Sequence, residues 1–299
     1  MSTPTVSVGV PVYNGEKFLP NALKRLLEQN YEDFELIITD NASTDATEEI
    51  CREFAGRDGR VRYYRNAVNV GLAANHNRAF SFARGQFFKW SAHDDDFPRA
   101  MLATFVGALQ KAPADVVLVY SPCEYIDELG QVVGVDSDGS KDHPSARQRL
   151  SYLLRNLNAY NSLYGLIRSS VLRKTHLHGL FPMSDHVLLS ELAMLGVFVQ
   201  IPEPVLRIRR HPGRSFAANT SAKALRELFN PGHGKQFLPI GIRTRMNLEL
   251  VHSALRAPIG TTDRLLCTGV VSWEIFRGFG SRQKRALSAL LSPRPQGQP

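Results

Sequence analysis

Five short apolar, β-prone runs, the first four each followed by a stretch of helical spacing, organise roughly the first 120 of 299 residues. No other feature limits the possible folds as much. The runs are Val6 to Val10, FELIITD (34–40), VRYYR (61–65), GQFFKWSAH (85–93) and DVVLVYS (115–121). Strands that alternate with helices build a parallel sheet flanked by helices, because each parallel connection needs a crossover long enough to hold one. FELIITD is apolar nearly throughout, as a strand buried on both faces must be. In the intervening segments Pro20 suits a first helical turn, with Leu23, Leu26 and Leu27 on one face. Ile50 and Phe54 share a side of the next helix, and Met101, Leu102, Phe105, Val106 and Leu109 make a later one amphipathic. Right-handed crossovers then place every strand's C-terminal end on one edge, where open α/β sheets bind ligands.

The polar residues that follow these strands therefore converge. They are Tyr13 and Asn14 after the first, Asp40, Asn41, Ser43 and Asp45 after the second, and Asp94, Asp95 and Asp96 after the fourth. Three adjacent carboxylates repel one another, so a triplet at the end of a buried strand suggests a bound cation. A helix N-cap near Pro98 is the structural alternative, and for Asp40 an Asx turn into NASTD.

After Val133 the pattern loosens. VDSDGSKDHPS (135–145) reads as a polar, mobile loop, followed by NSLYGLIRSSVL (161–172), a helix over SDHVLLSELAMLG (184–196), and strand-like VFVQIP and PVLRIRRH. From Ser221 helical patterns dominate: RTRMNLELVHSALR (243–256), DRLLCTGVVSWEIFRGF (263–279) and SRQKRALSALL (281–291). The final PRPQGQP reads as a disordered tail, and no internal repeat is present. Cys51, Cys123 and Cys267 show no CxxC spacing, so neither a disulfide framework nor a thiolate metal site is expected, and a reducing cytoplasm fits. The N-terminus has no secretory pattern and no stretch is apolar enough to span a bilayer. Charge is uneven: Arg207 to Pro299 holds 16 Lys/Arg against four acids, a net of +12, whereas the first 206 residues carry −4. That split suits an anionic partner for the C-terminal third, or simply a solvated basic face.

VSVGVPVYNGEKFLPNALKRLLEQNYEDFELIITDNASTD, NVGLAANHNRAF and the triplet in WSAHDDD together resemble the family 2 glycosyltransferases of GT-A fold. The likeness runs from Val6 to Val133 and resumes at YGLIRSSVL, SDHVLLSELAMLG and RIRRHPGRS, with the motifs in the family's order. It implies an α/β, Rossmann-like, mostly parallel sheet flanked by helices, carrying here a helical basic C-terminal extension. It also implies an inverting, metal-dependent transfer from a nucleoside diphosphate sugar to a hydroxyl of a glycan, glycolipid or other envelope acceptor. Mn²⁺ or Mg²⁺ suits the hard oxygen ligands.

The resemblance assigns roles. Pro11 to Tyr13 lie beside the donor's base, and Asp40 accepts a hydrogen bond from it, which favours the N–H edge of uracil and so UDP. Asn41, Asn69, Gly71 and Asn77 shape the donor pocket. Counting from Gly85, the metal position falls on Asp94, with Asp95 its neighbour and Asp96 peripheral. The chain departs from the family's DxDD form: Ala92 replaces the first aspartate and His93 stands between, next to the donor. His211 matches a histidine near the diphosphate and metal, a compensating ligand beside Arg209, Arg210 and Arg214, whose guanidinium forks suit phosphate oxygens. Asp185 matches the acidic residue expected to act as general base, preceded by Ser184 where an acid or Thr is usual; an aspartate in a first helical turn also simply complements the dipole.

The division expected is a catalytic domain over 1–215 (nucleotide-sugar half 1–133, acceptor half 134–215), a helical basic region over 216–292 and a tail over 293–299. The protein is expected in the cytoplasm, peripheral on an anionic membrane surface or with its basic helices packed on the core. Two competing readings remain. A nucleotidyltransferase would carry a Gly-rich basic loop after the first strand, where VYNGEKF stands instead. A nucleic-acid-binding module would interleave aromatics with exposed basic residues, whereas Phe229, Phe237, Trp273, Phe276 and Phe279 have spacings suited to a helical core, so no nucleic acid is expected.

Overall fold

The computed structural model describes residues 3–137, 139–156, 161–213, 219, 221–232 and 241–291, with the backbone alone at 222 and 279–291. The first half follows the alternation closely. β1 (Val6–Val12) leads to α1 (Leu19–Leu27), β2 (Phe34–Asp40) to α2 (Thr47–Arg57), β3 (Val61–Arg65) to α3 (Leu72–Ser81), and β4 (Phe87–Trp90) to α4 (Met101–Lys111). β5 (Val116–Tyr120) follows. β1 and β2 are buried along their whole length, so their valines and isoleucines pack on helices on both sides of the sheet. Gly85 lets the chain enter β4 against β1, because a Cβ there would lie 2.6 Å from the Ser7 amide nitrogen.

Among the described residues the central sheet has seven strands, in the order β3-β2-β1-β4-β8-β5-β9. β8 (Leu166–Arg168) and β9 (Val197–Gln200) come from the second half of the chain and complete it. The sheet is mostly parallel, as expected, and β8 is its reverse strand. It pairs antiparallel with β4 and with β5, while β1, β2, β3 and β4 are mutually parallel and β9 is parallel to β5. A reverse strand has its C-terminal end at the opposite edge, so LIR contributes to the core rather than to the cleft.

A smaller sheet sits beside this one. β6 (Cys123–Ile126) forms a hairpin with β7 (Val132–Asp136) and pairs in parallel with β10 (Leu206–Arg209). The polar loop that follows β7 is less free than its composition suggests. Lys141 within it is buried, bridges Phe198 of β9 through paired backbone hydrogen bonds and donates to the Tyr120 hydroxyl at 2.7 Å.

α5 (Ala146–Arg155), a 3₁₀ turn (Asn161–Tyr164), α6 (Ser169–Leu172) and α7 (Ser184–Leu195) fill the second half. α7 has ten buried residues of twelve, which marks a helix enclosed on all sides. Part of that enclosure comes from the C-terminal helices. α8 (Ala222–Phe229) touches α3, while α9 (Ile242–Arg256) and α10 (Thr261–Leu291) pack together and against α7 and α5 respectively. The two patterns read separately over 263–279 and 281–291 are one continuous helix, since Gly280 alone lacks the turn chemistry to end it. Among the described residues, no helix is long and apolar enough to cross a membrane. The tail at 293–299 lies outside the described residues.

Candidate active site

The C-terminal edge of β1, β2 and β4 gathers the polar residues that the alternation placed there. β1 ends at Val12, and Asn14 follows with φ +50°, a left-handed conformation that asparagine tolerates. Its amide donates to Ser43 Oγ (2.9 Å) and its side-chain oxygen accepts from the Thr44 amide (2.9 Å), which ties the two loops together. Pro11 is buried within β1 and Tyr13 is exposed at the rim.

Asp40 is fully buried and already engaged. It accepts from the Ser43 amide at 2.9 Å, from the Tyr63 hydroxyl at 2.9 Å and from the Arg65 guanidinium. Arg65 also donates to the Ser43 carbonyl at 2.8 Å. Burial and the Asp40 hydrogen bond together push the Tyr63 hydroxyl well above its ordinary range, so it acts only as a neutral donor to Asp40. Nothing in VRYYR singles out Tyr63 or Arg65 as a site residue, because it reads only as a strand.

Asn41 is buried at the centre of an asparagine network. Its side chain donates to Asn69 (2.8 Å) and accepts from Asn66 (2.9 Å) and from the Val70 amide (2.9 Å); Asn69 also accepts from the Gly71 amide (2.9 Å). Gly71 itself has φ +87°, and a Cβ there would lie 2.4 Å from the Phe229 carbonyl of α8. Asn77, on α3, makes a two-point clamp on the backbone of His178, donating to its carbonyl (2.8 Å) and accepting from its amide (3.0 Å). The His178 ring in turn lies edge-on to Trp90, the last residue of β4, at 5.1 Å. These asparagines thus hold loops in place, and nothing in the local pattern around Asn77 points to His178, 101 residues away.

The aspartate triplet lies alongside β10. The Asp96 amide donates to the Arg207 carbonyl (3.1 Å), the Arg209 amide donates to Asp95 (3.0 Å), and Arg209 Nε donates to the Asp94 carbonyl (3.0 Å). This pairing delivers His211, just past the strand, to Asp94: Nε2 and Oδ2 are 2.9 Å apart across 117 residues of sequence. The ring is held from the other side by Phe18, at 4.7 Å between centroids. Asp95 is buried, and Asp96 turns away to ion pairs with Arg25 (3.4 Å) and Arg207 (3.6 Å). Arg209 is not presented to a ligand as expected. It is buried and donates to the carbonyls of Asp127 (2.9 Å) and Glu128 (3.0 Å) as well as Asp94. Arg210 is exposed, with its guanidinium 3.8 Å from the Tyr125 ring centroid. Arg214 lies outside the described residues.

His93 stands between the triplet and Gly15, where a Cβ would touch its ring at 2.8 Å. Burial lowers its basicity; the Asp94 carboxylate opposes that effect and His211 adds to it. Among the described residues, no three His, Cys, Asp or Glu side chains cluster as a ready metal cage.

Asp185 opens α7. That helix runs into β9, which is parallel to β5, so its N-terminus lies at the same sheet edge as the triplet. Met183 before it adopts φ +71°, a conformation that costs a bulky residue on the order of 1 kcal/mol. Burial pushes the Asp185 carboxyl up to about 6, against hydrogen bonding from backbone amides such as that of His186 at 3.1 Å.

Comparison with known proteins bears on this arrangement. Residues 7–173 match the family described as Glycosyl transferase family 2. Glycosyltransferase GlyG of Streptococcus pneumoniae is 35% identical over 113 residues, 38% of this chain and 38% of that protein. Glycosyltransferase GlyA of the same organism is 31% identical over 113 residues, 38% of this chain and 16% of that protein. The match therefore spans well under half of these relatives. Among solved structures, S. aureus TarS 1-349 in complex with UDP-GlcNAc has a TM-score of 0.67 at 17% identity, covering 91% of this chain and 73% of that one. Mannosyltransferase PcManGT from Pyrobaculum calidifontis, in complex with GDP-Man and Mn²⁺, has a TM-score of 0.53 at 17% identity, covering 99% and 78%. At that identity the structures speak to fold alone, and they agree with the mostly parallel, helix-flanked sheet. With the family model matched over more than half of the chain and that sheet as its core, the chain belongs to glycosyl transferase family 2 and has a GT-A fold.

Proposed function

We propose that this glycosyltransferase moves a sugar, with inversion, from a nucleoside diphosphate donor to a hydroxyl of a glycan, glycolipid or other envelope or polysaccharide acceptor. The observation that carries this reading is the convergence of Asp94 with His211 at 2.9 Å, on the sheet edge that Asp185 also occupies. The catalytic unit is assigned to 1–215, with nucleotide-sugar (1–133) and acceptor (134–215) halves, and the basic helical region to 216–292.

One carboxylate and one imidazole, with Asp95 beside them, would suit a Mn²⁺ or Mg²⁺ ion. Asp94 and His211 would hold it, and when bound it supplies Lewis-acid neutralisation of the leaving diphosphate. The GDP-Man and Mn²⁺ bound to PcManGT favour that choice by analogy. His93 is assigned to the donor side and exposed Arg210 to the phosphate oxygens, which its guanidinium fork suits. Pro11 and Tyr13 flank the base. Asp40 reads it together with Arg65: the carboxylate accepts an N–H and the guanidinium donates to a neighbouring carbonyl, a pattern that the uracil edge satisfies. The UDP-GlcNAc in TarS is consistent with a UDP preference. Asn41 and Asn77 act by fixing the loops around the donor.

Asp185 takes the acceptor's proton as its oxygen attacks the anomeric carbon. A carboxylate with a pKa of about 6 is both ionised and appreciably basic near neutral pH, as a general base should be. The site is assigned to the cytoplasmic side, where nucleotide sugars are supplied.

A donor-hydrolysis screen over UDP-, dTDP- and GDP-sugars, with and without EDTA, tests the reading. Hydrolysis is expected only with a divalent metal, fastest for a UDP-sugar and absent in Asp94→Ala. Hydrolysis that EDTA leaves unchanged would overturn the metal-dependent mechanism.

A further inference from the structure

We infer that the outer face of α10 is a docking surface for an anionic lipid bilayer. α10 buries Cys267 and Val271 against the rest of the protein and partly buries Val270 and Ile275. Its opposite side is apolar and uncovered: Leu265 is 66% exposed, Leu266 45%, Trp273 57% and Phe276 69%, with the Trp273 and Phe276 rings 6.1 Å apart. Positions 266, 269, 273 and 276 follow heptad-like spacing, so they share one stripe of the helix. Three large exposed apolar side chains and a glycine along one stripe exceed the scattered singles that a soluble surface carries.

Charge identifies the occupant. Residues 241–291 hold eight Lys/Arg (Arg243, Arg245, Arg256, Arg264, Arg277, Arg282, Lys284, Arg285) against three acids. Glu249 is ion-paired with Arg245 (2.7 Å), and Glu274 with Arg155 (2.6 Å) and Arg277 (2.7 Å), which leaves Asp263 in the first turn. No acid follows Glu274 in the sequence. A second copy of the same basic helix would be repelled, whereas a bilayer with anionic headgroups meets both the charge and the apolar stripe. Trp and Phe are suited to that boundary, since their rings settle at headgroup level. At 31 residues α10 is about 46 Å long, roughly twice the length of α9.

The chain has two tryptophans, and only one can report on this face: Trp90 is fully buried and Trp273 is exposed. The protein is mixed with phosphatidylcholine vesicles with or without phosphatidylglycerol, the latter in ordinary and brominated-chain forms. Flotation with anionic vesicles alone is expected, at least tenfold above neutral vesicles and lost at high salt. Brominated lipid should quench Trp273 fluorescence. The exposed-face variant Trp273→Ser/Phe276→Ser should lose flotation at least tenfold while it keeps wild-type donor hydrolysis, which separates this surface from the catalytic reading. Equal recovery with neutral vesicles, flotation without quenching, or a dimer that the variant converts to a monomer would each overturn the inference.

Discussion

Asp185 combines two demands that oppose each other. Burial raises its carboxyl from 3.8 to about 6, so the folded protein holds the proton more tightly than the unfolded chain does. Its contribution to stability is therefore full below pH 3.8 and is lost as pH rises through about 6, a difference on the order of 2 to 3 kcal/mol. Asp185→Asn should melt higher than wild type at pH 8 and no higher at pH 3.5, while kcat falls at least 100-fold, within the range for a positioned base. Wild-type kcat/KM should fall on the acid side of about pH 6, and a profile flat from pH 5 to 8 would rule Asp185 out as the base. His211 gives the complementary test. His211→Ala should raise the Mn²⁺ needed for half-maximal hydrolysis more than tenfold yet leave the maximum at saturating metal within a few-fold, because a second-ligand loss acts first on metal affinity. An unchanged metal titration would make His211 a packing residue against Phe18.

β2 shows how one strand divides stability from function between its two ends. At the start, Glu35 is buried and accepts from Ser7 Oγ (2.6 Å), the Arg84 amide (2.9 Å), Arg84 Nε (2.9 Å) and Arg62 (2.7 Å). Burial pushes its pKa up, but these donors outweigh that and the net effect is downward. The stability it contributes is present above the ordinary glutamate value of 4.5 and is lost as pH falls through the lower folded value. Glu35→Gln should destabilise by about 3 kcal/mol at pH 7, since two arginines lose a buried partner, and by clearly less at pH 3. Equal loss at both pH values, read from denaturant midpoints, would contradict the assignment. At the other end stands Asp40, clamped by Tyr63 and Arg65. The strand positions were legible in the sequence because β1, β2 and β5 are continuous apolar runs. β8 was not, for three residues inside NSLYGLIRSSVL show no period of their own. The Asp94–His211 approach followed from a motif resemblance rather than from periodicity. What went unread was pairing between distant segments: Arg65 on Asp40, Asn77 on His178, and Arg209 on the carbonyls of 94, 127 and 128.

At the scale of the whole molecule α7 and the basic C-terminal helices share a core. Phe181, Val187 and Met194 from α7 and its approach pack with Met246, Leu250 and Ala254 of α9 and with Cys267 and Val271 of α10. Glu191 of α7 adds a polar tie, accepting from the His176 amide (2.7 Å), His176 Nδ1 (2.8 Å) and Ser253 Oγ of α9 (2.6 Å). The helix that positions Asp185 is thus enclosed partly by residues far outside the family-matched region 7–173. A chain cut after Gly232 would expose the apolar side of α7 and leave Glu191 without Ser253. Each large side chain uncovered forfeits roughly 1.5 to 3 kcal/mol of burial, so the loss should approach the whole stability of an ordinary domain. The cut chain should aggregate on expression or melt at least 15 °C below the full protein, with proteolysis beginning near α7. A cut chain that melts with the full protein and hydrolyses donor at the same rate would show that α9 and α10 serve a surface role alone. Ser253→Ala in the intact chain makes the same argument at one contact: it leaves the apolar packing in place and removes one donor from a buried carboxylate, so a loss of about 1 to 3 kcal/mol is expected. A donor-hydrolysis rate that falls with it would mean that the tie also sets the position of Asp185, less than two helical turns away on the same rigid element.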